Sequence, residues 1–142
     1  MTEVAFHFNA PDRMAYACRL LRKAVNSGAR VVVTGLSGTL QQLDRALWAF
    51  SPTEFVPHCL WPSDAWVAAA SPVVLAPSAE SAPHRQVLLN LAPSVPDGFE
   101  QFERVIEVVS LDDDERQSAR NRWKHYVDHG YDITRHDLNL KA

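Results

Sequence analysis

The stretch Arg30–Phe50, RVVVTGLSGTLQQLDRALWAF, decides how the fold is read. Val31, Val32 and Val33 form a β-branched run with no polar alternation, which suits a strand buried on both faces of a sheet. From Leu40 onward the spacing changes. Leu40, Leu43, Leu47 and Phe50 recur with helical period, and Thr39 is placed to cap the first turn. Gly35 and Gly38 lie between the two segments. Strand, glycine turn and helix together have the layout of a phosphate-binding loop.

The chemistry of such a loop is missing. A Walker A loop needs GxxxxGK[ST], in which glycines open the backbone to phosphate, a lysine supplies charge and a hydroxyl holds magnesium. Gly35-Leu36-Ser37-Gly38-Thr39 is too short for that, and no lysine occurs between Arg30 and Phe50. The spacing is GxxG, so a GxGxxG dinucleotide fingerprint is absent too. The favoured reading is a sharp strand-to-helix turn. A nucleotide-binding enzyme using Gly35–Thr39 is the competing reading.

Working outward, Val4–Phe8 (VAFHF) reads as a first strand. Met14, Ala17, Leu21 and Val25 lie on one face of a helix that follows it, with Gly28 as its stop. Downstream of Phe50 a connection rich in proline and tryptophan leads to short extended pieces at PVVLA and QVLLNLA. A loop with a short helical turn at APSVPDGFEQF comes next, then a strand at RVIEVVS. The last element is a strong helix in LDDDERQSARNRWKHYVDHG, with Asp112–Asp114 where the helix dipole favours negative charge and Gly130 just past its end. The order predicts a single three-layer α/β domain over residues 1–142, a mostly parallel sheet flanked by helices.

The totals narrow the function. The 142 residues carry 14 basic and 17 acidic side chains, a net charge of −3. That balance argues against a broad nucleic-acid footprint, since phosphate binding favours a basic excess. Direct binding of single-stranded DNA by the basic last helix and the aromatics is the weaker third reading. No apolar run is long enough to span a bilayer, and no secretory leader is visible, so a cytoplasmic location is the default. Cys18 and Cys59 are far apart and suggest neither zinc nor a disulfide framework. His125 and His129 have metal-ligand spacing without a third ligand, and Ser37 lies in no GxSxG elbow. No cofactor, metal or catalytic set is expected.

Two constellations remain. Trp48, Phe50, Phe55 and Trp61 cluster around a helix end and a loop, either roofing the core or forming an exposed binding surface. In the last helix Arg116, Arg120 and Lys124 are four apart and form one basic stripe beside Trp123, while Arg122 points away. The bland reading of that stripe is a solvated face partly neutralised by Asp112 and Glu115. The functional reading is a site for an acidic peptide or a terminal carboxylate, because guanidinium pairs with carboxylate through two hydrogen bonds and an aromatic wall receives an apolar side chain.

These same segments resemble the chi subunit of bacterial DNA polymerase III holoenzyme. LDRALWAFSPTEFVPH carries the resemblance, supported in order by RQVLLNLAPSVPDGFEQFERVIEVVS and ARNRWKHYVDHGYDI, with SGARVVV upstream. The resemblance implies a non-catalytic accessory of the clamp loader with a Rossmann-like fold. It further implies two partners, the psi subunit and the acidic C-terminal tail of single-stranded DNA-binding protein, which ends in phenylalanine. Carried over by position, Arg120 takes the place of the family's key arginine and Arg116 a position that is basic in the family, with Lys124 completing the stripe. Val109 and Trp123 would line the pocket for the terminal phenylalanine. Trp48, Phe55, Val56 and Pro57 would face psi. The segments GLSGTLQQ, WPSDAWVAAASP and TRHDLNLKA depart from the family pattern.

Overall fold

The computed structural model describes residues 2–49, 56–60, 71–79 and 82–138. Among them the order is β1 (Glu3–Ala10), α1 (Arg13–Asn26), β2 (Val31–Thr34), α2 (Ser37–Ala49), β3 (His58–Leu60), β4 (Val73–Leu75), β5 (Val87–Asn90), β6 (Arg104–Ser110), α3 (Asp113–Asp128) and β7 (Ile133–Asp137). The seven strands form one sheet in the order β3-β4-β2-β5-β6-β1-β7. Every neighbouring pair is parallel, so the expected mostly parallel sheet is parallel throughout.

The valine run behaves as its composition requires. Val31 to Thr34 are all buried, because β2 lies between β4 and β5 with a layer on each face. Val31 and Val33 pack with Leu21 of α1 and with Leu40, Leu43 and Leu47 of α2. Val32 points the other way, into a cluster with Phe6, Val105, Val109, Ala119 and Tyr126. Alternation along β6 repeats this division. Ile106 and Val108 face α1 and α2, whereas Val105 and Val109 face α3. The expected three layers are therefore present, with two helices on one side of the sheet and α3 on the other.

Local signals account for most boundaries. Asp12 caps α1 by accepting from the Ala15 N–H (3.0 Å), satisfying one of the helix's unpaired first-turn donors. Gly28 and Gly130 follow α1 and α3 with φ near 85°, the left-handed region that glycine enters without strain. The short helical turn expected in APSVPDGFEQF is a 3-10 turn at Phe99–Gln101. Thr39 does not cap α2. The helix begins at Ser37, and the Leu36 carbonyl already accepts from the Leu40 N–H (3.0 Å), which places Thr39 inside the first turn.

Two strands lie where no strand was expected. β3 is a three-residue edge strand within the proline-rich connection. β7 follows α3 and pairs with β1, matching Val4 to Ile133 and Phe6 to Arg135. Its sequence, ITRHD, is polar because an edge strand needs little burial and benefits from charge.

The sheet also contains a fully buried acid. Glu107 on β6 is 0% exposed, and Arg122 on α3 is 4% exposed. The Arg122 Nε donates to one Glu107 oxygen at 3.0 Å. Tyr126 Oη and Asn90 Nδ2 donate to the other at 2.8 and 2.9 Å. Burial raises the Glu107 carboxyl above the ordinary carboxylate range, against the opposing pull of Arg122 and of these hydrogen bonds. The Tyr126 hydroxyl is likewise pushed up, by burial and then by the adjacent Glu107. Removing one member of a buried pair strands the other charge, at a cost of about 3–5 kcal/mol. Urea unfolding of Arg122→Met should show a loss of that size, part of which Glu107→Leu in the same chain restores. A single variant as stable as the parent would contradict this account.

Candidate functional site

α3 is held at its N-terminus by a set of acidic contacts. Asp112 accepts from the Glu115 N–H (3.0 Å), so it caps the helix. The Glu115 carboxylate turns inward, accepting from the Ser110 N–H (2.7 Å) and pairing with Arg13 of α1 (3.0 Å). Both acids thus make contacts elsewhere, and among the described residues neither forms an ion pair with Arg116, Arg120 or Lys124, as the bland reading of the stripe would have it. Arg122 points away from the stripe, as its position around the helix required, and reaches Glu107.

On the α3 side of the sheet a cavity of about 350 Å³ opens to the surface. It is lined by Phe6 and Phe8 of β1, Val109 of β6, Arg116, Ala119, Arg120 and Trp123 of α3, and Arg135 of β7. Four of the five residues expected at a tail site therefore meet around one hollow. The fifth, Lys124, is exposed and is not among the lining residues. Phe6, Val109 and Ala119 form a buried floor. The Trp123 and Phe6 rings stand 5.0 Å apart at 60°, an aromatic contact that fixes the indole as a wall.

The rim is cationic. Arg116 and Arg120 come from consecutive turns of α3, and Arg120 makes one weak contact with Gln117 (3.3 Å). Arg135 reaches in from β7, its guanidinium 5.7 Å from the centres of both Phe8 and Trp123. Among the described residues none of these three guanidiniums carries an ion pair. A chain of net charge −3 thus concentrates positive charge around an apolar hollow. By its chemistry such an arrangement suits a ligand that joins negative charge to an apolar end. A larger concavity of about 780 Å³, lined in part by Gln86, Glu103 and Arg104, is a polar surface with mixed charge and offers no such convergence.

Phe6, Phe8, Ala119 and Arg135 are the lining residues that the sequence reading missed. The alternation of Phe6 and Phe8 in FHF does place both rings on one face of a strand. Nothing local marks Arg135, because its neighbours come from β1 and α3.

The second constellation lies at the other end of the sheet. Trp48, in the last turn of α2, is 62% exposed. Its ring meets the His58 imidazole edge-on at 5.3 Å. The two His58 ring nitrogens face the Val56 carbonyl (2.7 Å) and the Asp44 carboxylate (3.0 Å). Pro57 is exposed, but Val56 is 1% exposed and packs in the core with Leu43 and Leu47. Val56 therefore supports this patch from beneath. Phe50, Phe55 and Trp61 lie outside the described residues.

The glycine turn does not acquire a phosphate cradle. Neither Gly35 nor Gly38 has a positive φ. A Cβ at Gly35 would make only ordinary contacts, 3.5 Å from Leu40 and Leu91, and one at Gly38 would meet open space. Neither position needs glycine to bring backbone close to a ligand. Among the described residues no helix is long and apolar enough to cross a membrane.

Comparison with known proteins agrees with the resemblance. Residues 1–134 match the family model described as DNA polymerase III chi subunit, HolC. The DNA polymerase III subunit chi of Pseudomonas aeruginosa is 33% identical over 143 residues, covering 97% of this chain and 98% of that protein. The subunit chi of Escherichia coli K12 is 31% identical over 118 residues, 82% of this chain and 79% of that protein. That of Haemophilus influenzae is 29% identical over 120 residues, 83% of this chain and 82% of that protein. With its parallel sheet, its helix order and a family match over nearly its whole length, the chain belongs to the DNA polymerase III chi subunit family.

Proposed function

We propose that this chain is a non-catalytic adaptor of the DNA polymerase III assembly. One surface would join psi and, through it, the clamp loader. Another would hold the acidic C-terminal tail of single-stranded DNA-binding protein. The observation that supports the second contact is the cavity between α3 and β7, where a cationic rim surrounds an apolar floor. The tail's acidic side chains would pair with Arg116 and Arg120, and its terminal phenylalanine would enter beside Val109 and Trp123. Lys124, one turn beyond the rim, would add long-range attraction without direct contact.

A charge-assisted hydrogen bond contributes about 1.5–3 kcal/mol when well formed. Arg120→Ala should therefore weaken binding of an acidic peptide ending in phenylalanine by roughly tenfold or more. Calorimetric titration of the peptide reads this directly, and an unchanged affinity would exclude the cavity as the tail site. Parent affinity should also fall between low and physiological salt, because part of the attraction is ionic.

The exposed Trp48 with Pro57 supports the psi contact, since a large exposed aromatic on a firm base suits an interface anchor. Trp48→Ala should weaken psi binding by about 2 kcal/mol or more. It should lower thermal stability only slightly, because Trp48 is largely exposed. Co-purification with psi and a melting curve measure the two effects. Full retention of psi by the variant would remove Trp48 from that interface.

A further inference from the structure

The cavity has one cation that α3 does not supply. Arg135 comes from β7, in register with Phe6 on the neighbouring β1, and lines the hollow together with Arg116 and Arg120. Its guanidinium lies over both aromatic walls, 5.7 Å from the Phe8 and Trp123 ring centres. A guanidinium stacked on aromatic faces keeps its N–H edge available for a planar acceptor.

We propose that Arg135 is a specificity-determining residue, the arm of a clamp that takes the terminal α-carboxylate of a bound peptide while Arg116 and Arg120 on the α3 arm take its acidic side chains. The inference rests on the tail-binding reading given above and assigns a role to a residue outside it. Its basis is covalent geometry. A C-terminal residue carries its carboxylate and its side chain on the same Cα. Once an apolar side chain occupies the floor formed by Phe6, Val109 and Ala119, beside the Trp123 wall, the carboxylate must stay near the mouth above it. Arg135 already holds a cation over the Phe8 and Trp123 rings. Its planar fork offers two parallel N–H groups to the two carboxylate oxygens, the pairing that distinguishes a carboxylate from an amide. Side-chain carboxylates further along the peptide are not bound to that position and would meet the α3 stripe instead. The site would thus read the end of a chain, with an internal acidic-apolar segment bound more weakly.

A double-mutant cycle tests this with the full chain and two synthetic acidic peptides ending in phenylalanine, one with a free C-terminus and one amidated. The parent should bind the free carboxylate peptide roughly tenfold or more tightly than the amide. Arg135→Ala should lose most of that preference, binding both peptides about as the parent binds the amide. Arg135→Lys should recover only part of it, since an ammonium lacks the fork. If Arg135 served only to cover the rings, its removal would change affinity for both peptides equally, and that result would overturn the proposal. So would an Arg135→Ala variant with parental affinity and preference. Failure of the parent to bind either peptide would overturn the tail-binding reading as well, whereas parental binding with an unaltered preference in the variant would overturn the clamp alone.

Discussion

The Glu107 carboxyl lies wholly inside the protein, and Arg122 is the cation that meets it. Much else follows from this contact. A buried pair adds little net stability compared with well-packed apolar residues, but its geometry is demanding. Here the demand comes from several elements at once. Asn90 of β5 bridges to Glu107 and is itself met by the Thr34 hydroxyl of β2 at 3.2 Å. Tyr126 closes the network from the next turn of α3. Sliding or rotating α3 on the sheet would leave a buried acid, a buried guanidinium and a tyrosine hydroxyl without partners.

That constraint sets the position of the candidate site. Arg116, Arg120 and Trp123 are on the same helix as Arg122 and Tyr126, so fixing the inward face fixes what the outward face presents. The Arg13–Glu115 pair holds the start of the helix and takes up an acid that would otherwise lie beside the basic stripe. The sheet supplies the remaining parts: rings from β1, Val109 from β6 and Arg135 from the edge. A parallel sheet suits this, since alternate residues of β1 and β6 reach the same layer.

Some of this was legible in the sequence, and the reasons are specific. Val31–Thr34 read as a central strand because it has no polar face to expose. The stripe of Arg116 and Arg120 beside Trp123 read as a site because all three lie within two turns of one helix. Features that depend on distant pairing were not legible. Glu107 sits in RVIEVVS as a lone acid in an apolar strand, and its need for Arg122 shows only when β6 and α3 are packed. β7 has one apolar residue in five, so neither it nor Arg135 gave a signal. Val56 and Pro57 are adjacent in sequence, yet one is buried and the other exposed. No spacing rule separates them without the sheet edge.

The central claim is that an acidic tail ending in an apolar residue binds between α3 and β7. Trp123 stands in that cavity and Trp48 stands on the other patch, so their indole N–H groups report separately on the two surfaces. Titrating the ¹⁵N-labelled protein with an acidic peptide ending in phenylalanine should shift the Trp123 indole resonance, together with the Val109 and Arg120 amides, and leave the Trp48 indole in place. A shift confined to Trp48, with Trp123 unmoved at saturation, would contradict the account.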